Sequence, residues 1–171
     1  MDKISKRLLQ NVHRIRERTQ RSIHDCASFL NISKKDFLRF EEGENFLSLP
    51  ELELLAQFLG VNTNTFFEED LDDKNIQQYL DKGLHPGYKN LRQKMIRARI
   101  LLAQQEQNLT LEELHQITQI PYETLEAYLQ TAEPIPIHHM FHLLKALDLP
   151  TDLFLNDNGL YEYEEERSKD Q

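Results

Sequence analysis

Apolar residues recur three and four apart along most of the chain, the spacing that lines one face of an α-helix. A long amphipathic helix is predicted over roughly residues 4–18, followed by a short one in "SIHDCASFL" and another in "KKDFLRFEE". A fourth helix falls around "LPELELLAQFL", and a short last turn ends in Phe-Phe. The same series then returns: residues 89–105, "TLEELHQIT", "YETLEAYLQ", "IPIHHMFHLLKAL", and a turn ending in Phe-Leu. Ser22-x-x-Asp25, Thr110-x-x-Glu113 and Ser33-x-x-Asp36 are capping boxes, in which the acid reaches back to the cap amide. Pro121 suits the first turn of a helix, where its missing donor costs nothing.

The two series are copies of one unit. A shift of 88 carries residues 22–67 onto 110–155 without a gap. Ile32 falls on Ile120, Leu55 on Leu143, Leu59 on Leu147, Thr63 on Thr151 and Phe66 on Phe154. Conservative pairs fill the intervals: Ser22 with Thr110, Asp25 with Glu113, Cys26 with Leu114, Phe37 with Leu125, Phe40 with Tyr128 and Val61 with Leu149. A repeated set of apolar positions reuses one packing solution. The expected organisation is a domain at 1–70, a linker at 71–88, a second domain at 89–155 and an acidic tail at 156–171. Ile76, Tyr79 and Leu80 suggest one short helix in the linker, with Gly83 as its cap. Two short helices joined by a three-residue turn, inside a five-helix unit, form a helix-turn-helix topology.

Charge sharpens this picture. The net charge is −9, yet residues 1–40 hold ten Lys/Arg against four Asp/Glu, and residues 89–99, "KNLRQKMIRAR", hold five basic residues and no acid. Residues 41–88 carry two basic and eleven acidic side chains, and residues 100–171 carry three and fourteen. Basic charge is thus confined to the first helices of the two copies. The 89–99 block reads equally as an exposed basic face or as a nucleic-acid contact. No apolar run is long enough to span a bilayer, the N-terminus lacks the apolar core of a signal peptide, and the single Cys26 fits a reducing compartment. A cytoplasmic protein is expected, with no membrane partner.

The stretches "RSIHDCASFLNISKKDFLRFEEGENFLSLPELELLAQFLGV" and "LTLEELHQITQIPYETLEAYLQTAEPIPIHHMFHLLKALDL" resemble the lambda-repressor-like, XRE-type helix-turn-helix family of bacterial and phage regulators. The resemblance implies an all-α fold of two tandem five-helix domains of this type joined by a partly helical linker, the second degenerate. It places Ser33, Lys34 and Lys35 at the start of a recognition helix and Arg39 one turn on. Ser22 would cap the preceding helix against a phosphate, with Arg16, Arg21 and Arg39 holding other phosphates in a field to which Arg14 and Arg18 add. Two departures stand out. Ile23 and Leu111 occupy a position where the family commonly has a phosphate-contacting glutamine, and Glu41-Glu42-Gly43 stands where Glu-Arg-Gly is frequent. The second copy's "PYETLEAYLQT" has two glutamates and no basic residue, so it is expected not to read DNA.

The expected function is a transcriptional regulator that binds double-stranded DNA as a homodimer through the first copy, the second serving dimerisation or a protein partner. The alternative is a protein-interaction scaffold, since the turn and post-helix pattern is also similar to the cytoplasmic domain of bacterial cell-shape proteins, which binds an actin-like filament. Tyr122 and Tyr128 outside the core would favour that alternative. His138 and His142 lie four apart, but no carboxylate or cysteine is spaced to complete a metal site, and Ile137, Met140, Phe141, Leu144 and Leu147 mark the buried face of their helix. No phosphate loop, triad or carboxylate pair points to an enzyme, and no cofactor is expected. Cys26 reads as a small core residue.

Overall fold

The computed structural model describes residues 1–72, 76, 87–131 and 133–155, and among these the chain is all-helical, without β-strand. It divides into two compact units, Met1–Leu84 and His85–Gln171. The linker helix expected near Ile76 lies, apart from Ile76 itself, outside the described residues, as does the acidic tail at 156–171.

The first unit contains α1 (Lys3–Arg18), α2 (Ile23–Leu30), α3 (Lys34–Glu41), α4 (Leu49–Leu59) and a 3-10 turn, Thr63–Phe67. The second contains α5 (Tyr88–Glu106), α6 (Leu111–Thr118), α7 (Tyr122–Gln130), α8 (Ile137–Ala146) and α9 (Asp152–Leu155). Helix starts follow the sequence signals. Reciprocal capping boxes form at Ser22/Asp25 and Thr110/Glu113. At Ser33 the hydroxyl accepts from the Asp36 amide at 3.0 Å, but the Asp36 carboxylate takes the Ser33 hydroxyl at 2.7 Å and not its amide. The expected third box is therefore only half formed.

The repeat is also one of backbone. Gln20, Asn31 and Gly60 leave α1, α2 and α4 with φ of 56°, 55° and 75°; Asn108, Gln119 and Asp148, each 88 residues on, have 53°, 60° and 50°. This left-handed exit lets the last carbonyls of a helix accept bonds from beyond its end. The Arg21 amide donates to the Arg16 carbonyl at 3.1 Å, and the Leu109 amide to the Gln104 carbonyl at the same distance. Val61 bonds Ala56 at 2.9 Å as Leu149 bonds Leu144 at 2.8 Å. The units part company after the third helix: Gly43 has φ of 76°, whereas Thr131 closes α7 at −108°. A Cβ on Gly43 would also lie 3.1 Å from Leu9 Cδ1.

Leu8, Val12, Ile15, Phe37, Phe40, Leu52, Leu55 and Phe66 fill the first core. Tyr88, Ile96, Ile100, Leu125, Met140, Leu143 and Phe154 are buried in the second. Polar side chains tie the long first helix of each unit to the last turn. Asn11 Nδ2 donates to the Phe66 and Glu68 carbonyls at 3.1 and 2.9 Å, and Arg92 donates to the Phe154 carbonyl at 3.1 Å. The basic block at 89–99 is consequently not a uniform exposed face: Arg92 is buried and Arg99 lies over the Phe154 ring.

Candidate nucleic-acid interface

In α2 and α3 one apolar face is buried and the other is left to solvent. Cys26, Ala27, Leu30, Phe37 and Phe40 point inward. Ser33, Lys34, Lys35 and Arg39 are exposed, as are Arg21 and Ser22 ahead of α2. Lys34 and Lys35 occupy the first two positions of α3, and neither makes an ion pair among the described residues. Cations at a helix start oppose the helix dipole and cost stability. Packing gives no reason for them, since both side chains are in solvent. Arg39 is differently placed, its Nε donating to Glu44 Oε2 at 3.1 Å. Such an exposed pair contributes little and gives way readily to another anion.

Arg16 departs from its expected role. Only 6% of it is exposed, and its Nε donates to Glu41 Oε1 at 2.7 Å and its Nη2 to Glu41 Oε2 at 3.2 Å. Its Nη1 also donates to the Arg21 carbonyl at 3.1 Å. Burial alone would lower the guanidinium pKa, but the bond to Glu41 together with the charges of Glu41 and Glu17 outweighs it and the value is raised. Arg16 is thus spent inside the unit, joining the end of α1 to the end of α3. This arrangement also removes Glu41 as an acid facing phosphate, leaving Glu42 as the exposed member of that pair.

Ser22 is constrained as well. Its hydroxyl donates to Asp25 Oδ2 at 2.7 Å and accepts from the Asp25 amide at 3.0 Å, while its own amide donates to the same carboxylate at 3.1 Å. Bonds from the Ser22 hydroxyl and amide hold the Asp25 carboxyl below its ordinary pKa, so it is anionic at neutral pH. A carboxylate already sits where the resemblance implies a phosphate. Arg14, counted on for the surrounding field, donates to the Leu71 carbonyl at 2.7 Å. Arg21 instead lies 4.6 Å over the ring of Phe58, which stacks on Phe29 with centroids 4.5 Å apart.

No protein family, curated protein or solved structure matches the chain.

The corresponding positions of the second unit lack this cationic chemistry. Tyr122 and Glu123 replace Lys34 and Lys35, and Gln104 and Leu129 replace Arg16 and Glu41. Gln104 Nε2 still donates to the Leu109 carbonyl at 3.0 Å, the counterpart of the Arg16–Arg21 contact, while Leu129 is buried. Of the two tyrosines, Tyr128 is buried with its hydroxyl 2.8 Å from His139 Nδ1, and Tyr122 is 40% exposed. Ile117, at the end of α6, is 56% exposed.

His142 and Lys145 are exposed on α8, but His138 and His139 are half-buried with rings 4.1 Å apart, and Leu143 joins the buried face while Phe141 is only half-buried. No group of three or more His, Cys, Asp or Glu side chains among the described residues is arranged to hold a metal ion. Burial pushes the Cys26 thiol up to about 11, which keeps it protonated and unreactive at neutral pH. No helix among the described residues is long and apolar enough to cross a membrane.

Sequence reasoning missed Glu41 as a core partner and Phe29 and Phe58 as the support of Arg21. The repeat held a signal for both. Glu41 aligns with Leu129, which marks a buried position, and Phe29, Phe58 and Arg21 align with Ile117, Ala146 and Leu109.

Proposed function

We propose that the protein is a DNA-binding regulator whose first unit docks the start of α3 in the major groove. The observation that carries this reading is the placement of Lys34 and Lys35: exposed, without ion pairs among the described residues, and set against the dipole of their own helix. The two-helix pairs α2–α3 and α6–α7, each with a left-handed residue at the turn, support reading both units as helix-turn-helix domains of the lambda-repressor-like kind. In this mechanism Lys34 and Lys35 reach base edges, Ser33 caps the recognition helix, and Arg21 and Arg39 meet flanking phosphates. Arg39 exchanges Glu44 for the phosphate. Arg16 acts one step removed, fixing α3 against α1. The second unit, with glutamates and Tyr122 along α7, contributes self-association or a protein contact.

Selection from a pool of random duplexes tests this reading. A regulator enriches a motif with two half-sites about one helical turn apart, as a symmetric dimer requires. Recovery of duplexes without any shared motif would contradict the regulator. A second reading, a protein scaffold without DNA binding, is favoured by the exposed Ile117 and Tyr122 and predicts no enrichment at all.

A further inference from the structure

Arg21 sits immediately before the capping Ser22 of α2, with its guanidinium carbon 4.6 Å from the centre of the Phe58 ring. Phe58 is half-buried on α4, and Phe29, from the last turn of α2, stacks on it at an interplanar angle of 20°. The cation thus rests on a two-ring platform that joins α2 to α4. Stacking uses the face of a guanidinium and leaves its N–H edge available. The Arg21 guanidinium makes no hydrogen bond or ion pair among the described residues, although it feels the nearby charge of Asp25.

The second unit makes the comparison informative. Leu109, Ala146 and Ile117 stand at the positions of Arg21, Phe58 and Phe29, so the same backbone is built there without the cation and without either ring. The fold does not need the platform. It occurs in the unit that also carries Lys34 and Lys35, separated from them by α2, whose eight residues span about 12 Å. That span is comparable to the width of about 12 Å of the major groove. A cation at one end of α2 therefore lies near the groove wall when the lysines at the other end lie in the groove.

We propose that Phe58, backed by Phe29, is a positioning residue that holds the Arg21 guanidinium as a DNA phosphate contact at the start of α2. The proposal rests on the DNA-binding reading above. It replaces the Ser22 contact that the resemblance implies, because Ser22 is occupied by Asp25, and it gives the phosphate a donor that reaches past that carboxylate.

The test uses the full chain and a random-sequence duplex, with affinity measured against salt concentration for the wild type, Arg21→Leu, Phe58→Leu, Phe58→Tyr and the Arg21→Leu/Phe58→Leu double variant. One lost phosphate contact flattens the slope of log affinity against log salt by about 0.9. Arg21→Leu is expected to show that loss. Phe58→Leu is expected to weaken binding by roughly twofold to fivefold, the size of an exposed cation–π contact. Phe58→Tyr, which keeps the ring, binds like the wild type, and the double variant binds no worse than Arg21→Leu alone. A slope unchanged by Arg21→Leu overturns the proposal, as does an equal effect of Phe58→Leu with and without Arg21. Lys34→Ala/Lys35→Ala separates the two levels. If that variant loses affinity while Arg21→Leu does not, the Arg21 contact and its platform fail and the lysine contact stands; if the wild type does not bind duplex at all, the DNA reading fails and takes this one with it.

Discussion

The Arg16–Glu41 pair shows how far a basic residue's role depends on its surroundings. In the sequence Arg16 is one of four arginines between residues 14 and 21, and nothing in their spacing separates a phosphate contact from a core ion pair. Packing separates them, because the end of α1 closes over the end of α3 and shuts both side chains away from water. Removing Glu41 leaves the buried guanidinium only the exposed Glu17 carboxylate as a counter-ion, and removing Arg16 leaves the buried Glu41 carboxylate only His13 beside it. Glu41→Leu or Arg16→Gln alone should destabilise the first unit by about 3–5 kcal/mol in urea denaturation. The double change restores the pair found in the second unit, Gln104 and Leu129, and should recover most of that loss. A double variant no more stable than either single one would show that the two positions are not coupled as described. Cys26 gives a simpler check: with its thiol buried and protonated, it should react with a thiol reagent only as fast as the first unit opens.

At the scale of elements, the pattern of apolar positions located α1 to α8 to within a residue or so at most ends, because caps and left-handed exits are local signals. The half-formed box at Ser33 was not legible, since hydroxyl and amide compete for one carboxylate and the spacing is the same for both. In α3, stability and the proposed DNA contact pull apart. Lys34→Ala/Lys35→Ala removes two cations from the positive end of the helix and adds residues of higher helix propensity, so the melting temperature of the first unit should hold or rise slightly. A marked fall would mean that the lysines support the fold after all. In α8 the half-buried His139 links stability to pH. Burial, with a smaller contribution from His142, holds the His139 pKa below its ordinary 6.5. A depressed folded value means the unfolded chain takes up the proton first. The associated stability is therefore complete above pH 6.5 and is lost as pH falls from there through the folded value. The second unit should melt a few degrees lower at the acid end of that window, and His139→Gln should remove that part of the dependence.

For the whole molecule, the repeat was the most legible feature, since a shift of 88 aligns core positions, capping boxes and, in the structure, the left-handed residues. The division of charge was equally visible, but its meaning was not. Of the arginines in the basic first block, Arg16 is interior, Arg14 is bonded to a carbonyl and Arg7 is paired with Glu69, so a net count overstates what a phosphate would meet. What remains is a small set of exposed cations on a chain of net charge −9, so the proposed DNA binding would depend strongly on a few contacts and on salt. The most direct measurement is therefore the affinity of the full chain for duplex DNA across a range of salt, for the wild type and for Lys34→Ala/Lys35→Ala. The account predicts binding that weakens as salt rises, and a variant that remains folded while its affinity drops. Wild-type binding at low salt no tighter than that of an unrelated acidic protein would contradict it.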